Sequence, residues 1–105
     1  MVTVELAVAI PAVVIVLAMV LGGVSLGIDQ VRCVDAARLA ARAVARGDPA
    51  SAASAMAARA APGGARVTLS SGGKQVTATV GLRREVAGVG FDVSATSVAD
   101  LEEHP

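Results

Sequence analysis

A run of 23 residues from Leu6 to Ile28 carries no charged side chain, and it constrains the fold more than any other feature. A helix rises about 1.5 Å per residue, and about 20 apolar residues cross a hydrocarbon core of about 30 Å. The run is long enough to span with some tilt. A secretory signal peptide fits less well, because its apolar region is about 7–15 residues long and follows basic residues. Met1 to Glu5 contains no basic residue. A single transmembrane helix is expected, and the first partner it implies is a membrane.

What remains of a 105-residue chain is enough for one small head. Hydrophobic residues make up 54% of the sequence, yet Trp and Tyr are absent and Phe91 is the single Phe. Aromatic side chains bury about 150–250 Å² each and usually close the core of a small domain. A head built of Ala and Val predicts a shallow core. The formal net charge is zero, but all nine basic residues lie between Arg32 and Arg84. From Glu85 onward every charge is acidic. Without stacking aromatics beside the arginines, no nucleic-acid partner is expected.

Within and beside the apolar run, a few residues suit contact with another helix. Pro11 lacks a backbone donor and frees a carbonyl one turn back, predicting a kink or loosened turns and calling for a neighbour in lipid. Gly23 and Gly27 form a GxxxG, extended upstream by Ala18 and Gly22 at the same interval. That spacing lets helices approach closely, although glycine is also common in membrane helices in general. Glu5 sits at the edge of the run, where a carboxylate carried into the bilayer costs about 2.5–3.5 kcal/mol. It suits either a hydrated position at a helix N-terminus or an ion pair with a neighbour's terminal amine. Glu5, Pro11, Gly23 and Gly27 are therefore the candidate subunit-assembly residues. Arg32, Arg38, Arg42 and Arg46 follow the run and nothing basic precedes it. Taken alone, that count places the head in the cytoplasm.

The helical pattern continues to about Arg46, with Val34, Ala37, Ala41 and Val44 on one face and Arg38, Arg42 and Arg46 on the other. Gly47-Asp48-Pro49 should end it, with Asp48 capping a second, Ala-rich helix from about Pro49 to Ala61. Beyond Pro62-Gly63-Gly64 the period falls to two. Val67 and Leu69, then Val76 to Leu82, then Val89 to Ala95 alternate with polar residues, predicting three strands, the first two joined at Gly72-Gly73. The expected class is α+β: a long transmembrane and amphipathic helix, a short second helix and a small three-stranded antiparallel sheet. Residues 1–28 form the transmembrane segment, 29–46 its amphipathic continuation, 47–64 the short helix and Gly/Pro linker, and 65–105 the β head with its acidic tail.

No catalytic constellation is visible, and no enzyme, cofactor or metal site is expected. His104 is the single histidine, and Cys33 the single cysteine. Neither a zinc cluster nor an intrachain disulfide can form from them. Cys33 reads as a small buried side chain or, alternatively, as a thiol for an intermolecular disulfide. Ser70-Ser71-Gly72-Gly73-Lys74 fails as a phosphate-binding loop, because Thr68 and Gln75 stand where Gly and Ser or Thr are required.

The N-terminus resembles the TadE-like family of pilin-related proteins from tight-adherence (Tad, or Flp) type IV pilus systems. The resemblance rests on Val2-Thr3-Val4-Glu5-Leu6-Ala7, on Pro11 six residues after Glu5, and on the apolar run. Gln30 to Arg38 and the strand ending Val93 to Ala99 also resemble actinobacterial members. The resemblance implies a prepilin-type protein cut by a prepilin peptidase after a glycine just upstream of Met1, so that Glu5 takes the place of the glutamate at the fifth residue of mature pilins. It further implies other pilin-like subunits as partners, an extracytoplasmic head, and residence in the cell membrane or an extracellular filament. The strands favour a minor subunit over the mostly helical major one. The alternative is a single-pass accessory or scaffold protein of a secretion system that never enters a filament.

Overall fold

A computed structural model describes residues 1–86 and 88–101. His104 and the tail residues Glu102 and Glu103 lie outside the described residues. The chain forms a rod of 80 × 18 × 18 Å. Its axis is one helix, α1 (Val2–Ala45), which passes through Pro11 and runs on without a break into the head. The shorter helix α2 (Ala50–Ala60) folds back along the upper part of α1. Three strands follow, β1 (Arg66–Gly72), β2 (Gln75–Val86) and β3 (Val89–Asp100), in an antiparallel sheet of order β1-β2-β3. The class is α+β, with the long apolar helix, the short helix and the three-stranded sheet that the sequence predicts.

The turn between the helices follows from Gly47. Its φ of 105° lies in the left-handed region that side chains avoid. There the Gly47 N–H donates to the Val44 carbonyl at 3.1 Å, and the Asp48 N–H donates to the Ala43 carbonyl at 2.9 Å. These two bonds are a Schellman motif, which satisfies carbonyls that a helix end otherwise leaves open. Asp48 does not cap α2 as expected; Pro49 occupies the cap position. The Asp48 carboxylate instead meets Arg46 at 2.8 Å.

The head's core is an alanine interface. Cys33, Ala36, Ala37, Ala40 and Ala41 of α1 pack with Ala57 of α2 and with Val76, Ala78 and Val80 of β2. Small side chains bring helix and sheet backbones close together, and buried Val76 and Val80 supply most of the bulk. The buried face differs from the Val34–Ala37–Ala41–Val44 stripe. Val34 and Val44 are only partly buried, while Ala36, Ala40 and Cys33 are fully covered. The reason is that α1 is wrapped on two sides, by the sheet and by α2, so the buried arc is wider and centres on the smallest residues.

The first hairpin turn also differs by one residue. Gly72 pairs with Gln75, so Gly73 and Lys74 form the loop. Both registers keep Val67 and Leu69 on the apolar face, because the pairing shifts by two residues and strand alternation has a period of two. Alternation alone could not separate them.

Candidate functional site

The strands of the second hairpin have unequal support. β1 pairs with β2 only from Gln75 to Gly81. Below Gly81, Leu82–Val86 of β2 pair with β3 alone, and this two-stranded ribbon descends along α1. Its tip reaches Gly22. A Cβ added at Gly22 would stand 2.6 Å from Val86 Cγ1, so the glycine is what admits the valine. Val86, Val89 and Phe91 thereby share an apolar groove of about 550 Å³ with Ile15, Met19 and Leu26.

One helical row carries the lower part of the connection between helix and sheet. Gly22, Leu26, Asp29 and Cys33 follow one another at four- and three-residue intervals and are each covered at least in part. Asp29, the first charge after the apolar run, accepts two hydrogen bonds from Arg84 of β2: Nε to Oδ2 at 2.8 Å and Nη2 to Oδ1 at 3.0 Å. The carboxylate is 6% exposed and the guanidinium side chain 40%. The forked geometry fixes both the level and the rotation of the sheet on the helix. Gln30 adds a bond to the Ser94 carbonyl at 3.0 Å. Arg32 donates to the Ala60 and Ala61 carbonyls at 3.4 and 3.1 Å, a cation at the C-terminus of α2, where the helix dipole favours it. Sequence reasoning missed this set. A signal existed for Asp29, because a carboxylate on the same row as Gly22 and Cys33 needs a partner if that row is buried.

The predicted site residues fall into two groups. Glu5 lies in the first turn of α1 with its side chain exposed, favourably placed for the helix dipole. Pro11 is likewise exposed. Gly23 and Gly27 face open space, with no atom within 4 Å of an added Cβ. These four positions line a helix that has no partner among the described residues over that length, apart from the hairpin tip. Gly22, from the upstream extension of the GxxxG, instead belongs to the head's own packing. Cys33 is fully buried against the sheet. Burial pushes its thiol above its ordinary value of 9.0; Asp29 adds to the rise and Arg32 opposes it. A partner's thiol cannot reach Cys33 in this fold, and the small-buried-side-chain reading is the one that fits. Among the described residues, no cluster of His, Cys, Asp and Glu could hold a metal ion.

Fold and site together define an α+β protein whose N-terminal helix is long and apolar enough to cross a membrane. Its most apolar stretch has a mean hydropathy of 2.8 and is not buried within the chain. The chain is 41% identical over 98 residues to a Mycobacterium tuberculosis (strain H37Rv) protein named Apoptosis inhibitor Rv3655c. The match covers 93% of this chain and 77% of that protein, and the chain belongs to the same family. No family model matches it, and no solved structure matches it with significance.

Proposed function

We propose that the chain is a structural, pilin-like subunit, a minor component of a Tad/Flp-type pilus or of its assembly machinery, and not an enzyme. The observation that carries this reading is the division of α1. One continuous helix of 44 residues places its last 17, Asp29 to Ala45, in the head and leaves nearly all of the stretch from Leu6 to Ile28 exposed, with large aliphatic side chains all round. Such a stretch is stable in lipid, and equally so against copies of itself. Exposed Gly23 and Gly27 offer close approach, Pro11 lacks the N–H that would pair the carbonyl one turn back, and Glu5 offers a charge to a neighbour's amine. The residues from Val2 to Ala7 with Pro11 supply the resemblance to TadE-like proteins. In this reading the head is extracytoplasmic and a prepilin peptidase releases the mature N-terminus.

The test is Glu5→Gln in the full-length protein. Membrane insertion should be retained, because the apolar run is untouched, while incorporation into sheared filaments is lost. Normal incorporation would overturn the pairing of Glu5. Mass spectrometry of the native N-terminus reads processing in the same preparation.

A second reading rests on the exposed arginine stripe. Arg38, Arg42 and Arg46 face outward on the helix beyond the apolar run, as in a protein whose head stays in the cytoplasm. The chain would then be a membrane accessory or scaffold protein of a secretion system. Protease digestion of spheroplasts separates the two: an extracytoplasmic head is cleaved, a cytoplasmic one is protected.

A further inference from the structure

We propose that the β2–β3 hairpin tip is a second membrane contact, a wedge that enters the headgroup and upper acyl region of the bilayer beside α1. The proposal rests on α1 crossing a membrane. The Asp29–Arg84 pair sets the level, because it ties the first charge above the apolar run to a charge on the ribbon. Below that pair the helix descends seven residues, about 10 Å, to Gly22. The ribbon descends two residues, about 7 Å, to Val86, whose side chain lies against Gly22. The tip therefore lies alongside helix that is itself free of charge.

The chemistry of the tip matches that depth. No charged residue stands between Glu85 and Asp92. Val89 and Phe91 are 56% and 41% exposed, and with Val86 they open a groove toward Ile15 and Met19 rather than filling it. Such a groove is apolar on all sides and continuous with the lipid-facing surface of α1, so acyl chains are the occupant that fits it. Arg83 and Asp92 stand opposite each other one residue above Arg84 and Glu85 stands one residue below it, all three exposed. They limit the depth, and so do the ribbon's edges: below Gly81 β2 has no partner on its β1 side, and unpaired backbone groups are not tolerated in the hydrocarbon core. Insertion to about 5–10 Å, the depth of interfacial segments, satisfies both constraints.

The absence of Trp and Tyr from the sequence makes the test clean. The full chain carrying Phe91→Trp, and separately Leu17→Trp as a mid-helix control, is reconstituted in phosphatidylcholine–phosphatidylglycerol vesicles. The acyl chains are brominated either close to the headgroup or close to the chain end. Emission from position 91 should shift to the blue and be quenched about twofold more by headgroup-proximal bromines than by chain-end bromines, as interfacial insertion requires. Position 17 should show the opposite preference. Quenching at position 91 by aqueous iodide, as for free indole, would overturn the proposal. So would blue-shifted emission insensitive to both sets of bromines, which would mean that a second copy or another protein covers the tip. If position 17 is also insensitive to bromines, the membrane reading itself fails and takes the wedge with it. If only position 91 is insensitive, the wedge fails alone.

Discussion

From Leu6 to Ile28, α1 carries Leu, Ile, Val and Met on every side, and nearly all are exposed. From Asp29 to Ala45 the same helix carries chiefly Ala on its covered faces, and these alanines are fully or almost fully buried. The more hydrophobic half is thus the one that, among the described residues, meets only the hairpin tip. Bulk and burial run in opposite directions because the two halves face different surroundings. A surface meant for lipid or a neighbouring helix gains from large aliphatic groups, whereas a helix wrapped by a sheet and a second helix needs close backbones and small side chains.

Enlarging one side chain in each half is the strongest way to break that contrast. Ala37→Leu forces extra volume into the alanine interface and should destabilise the head by about 1–3 kcal/mol. Ala12→Leu, on the exposed half, should leave head stability unchanged. Thermal unfolding of the full chain in micelles, followed by circular dichroism, compares them. Equal effects would mean that the alanine interface is not close-packed.

The junction between the halves should respond less. Asp29→Asn removes the charge that Arg84 binds through two hydrogen bonds. The expected loss is about 1–2 kcal/mol, below that of a fully buried pair because Arg84 is partly solvated. Adding Arg84→Met to Asp29→Asn should cost little more. Additive losses in this double-mutant cycle would show that the two side chains are not coupled.

The smallest effect belongs to Cys33. Its thiol is held above the ordinary value of 9.0, so the folded state retains the proton more strongly than the unfolded state does. The resulting stability is fully present below pH 9.0 and is lost as pH rises through the higher folded value. Unfolding midpoints measured across alkaline pH should fall more steeply for the natural chain than for Cys33→Ala. Alkylation of Cys33 should be slow at neutral pH and track opening of the head.

Most of the fold was legible because it depends on period and punctuation. The uncharged run, the Gly47 stop and the change from helical to alternating spacing after Gly64 place every element, with the helix stops and strand starts within a residue or two; β2 and β3 run four and five residues further than the alternation indicated, to Val86 and Asp100. The buried face of α1 was not legible, because Ala is compatible with any surroundings and its repeated occurrence from Ala36 to Ala45 leaves the helix's rotation open. The candidate assembly residues Glu5, Pro11, Gly23 and Gly27 could be named from residue type alone. The Gly22–Val86 contact could not, because it joins residues 64 positions apart through a register that only the packed hairpin defines.

By itself, the sequence determined that one apolar helix is long enough to span a membrane and that a small antiparallel head follows it. Both follow from the local distribution of charge, glycine and alternating side chains, which act over a few residues at a time. The tertiary structure decided which glycine serves the chain's own packing and which two remain available to a partner. It also decided that Asp29 is paired, that Cys33 is enclosed, and how far down the helix the hairpin reaches. Those outcomes depend on the rotation of α1 against the sheet, a quantity set by long-range contacts and carried by no single segment.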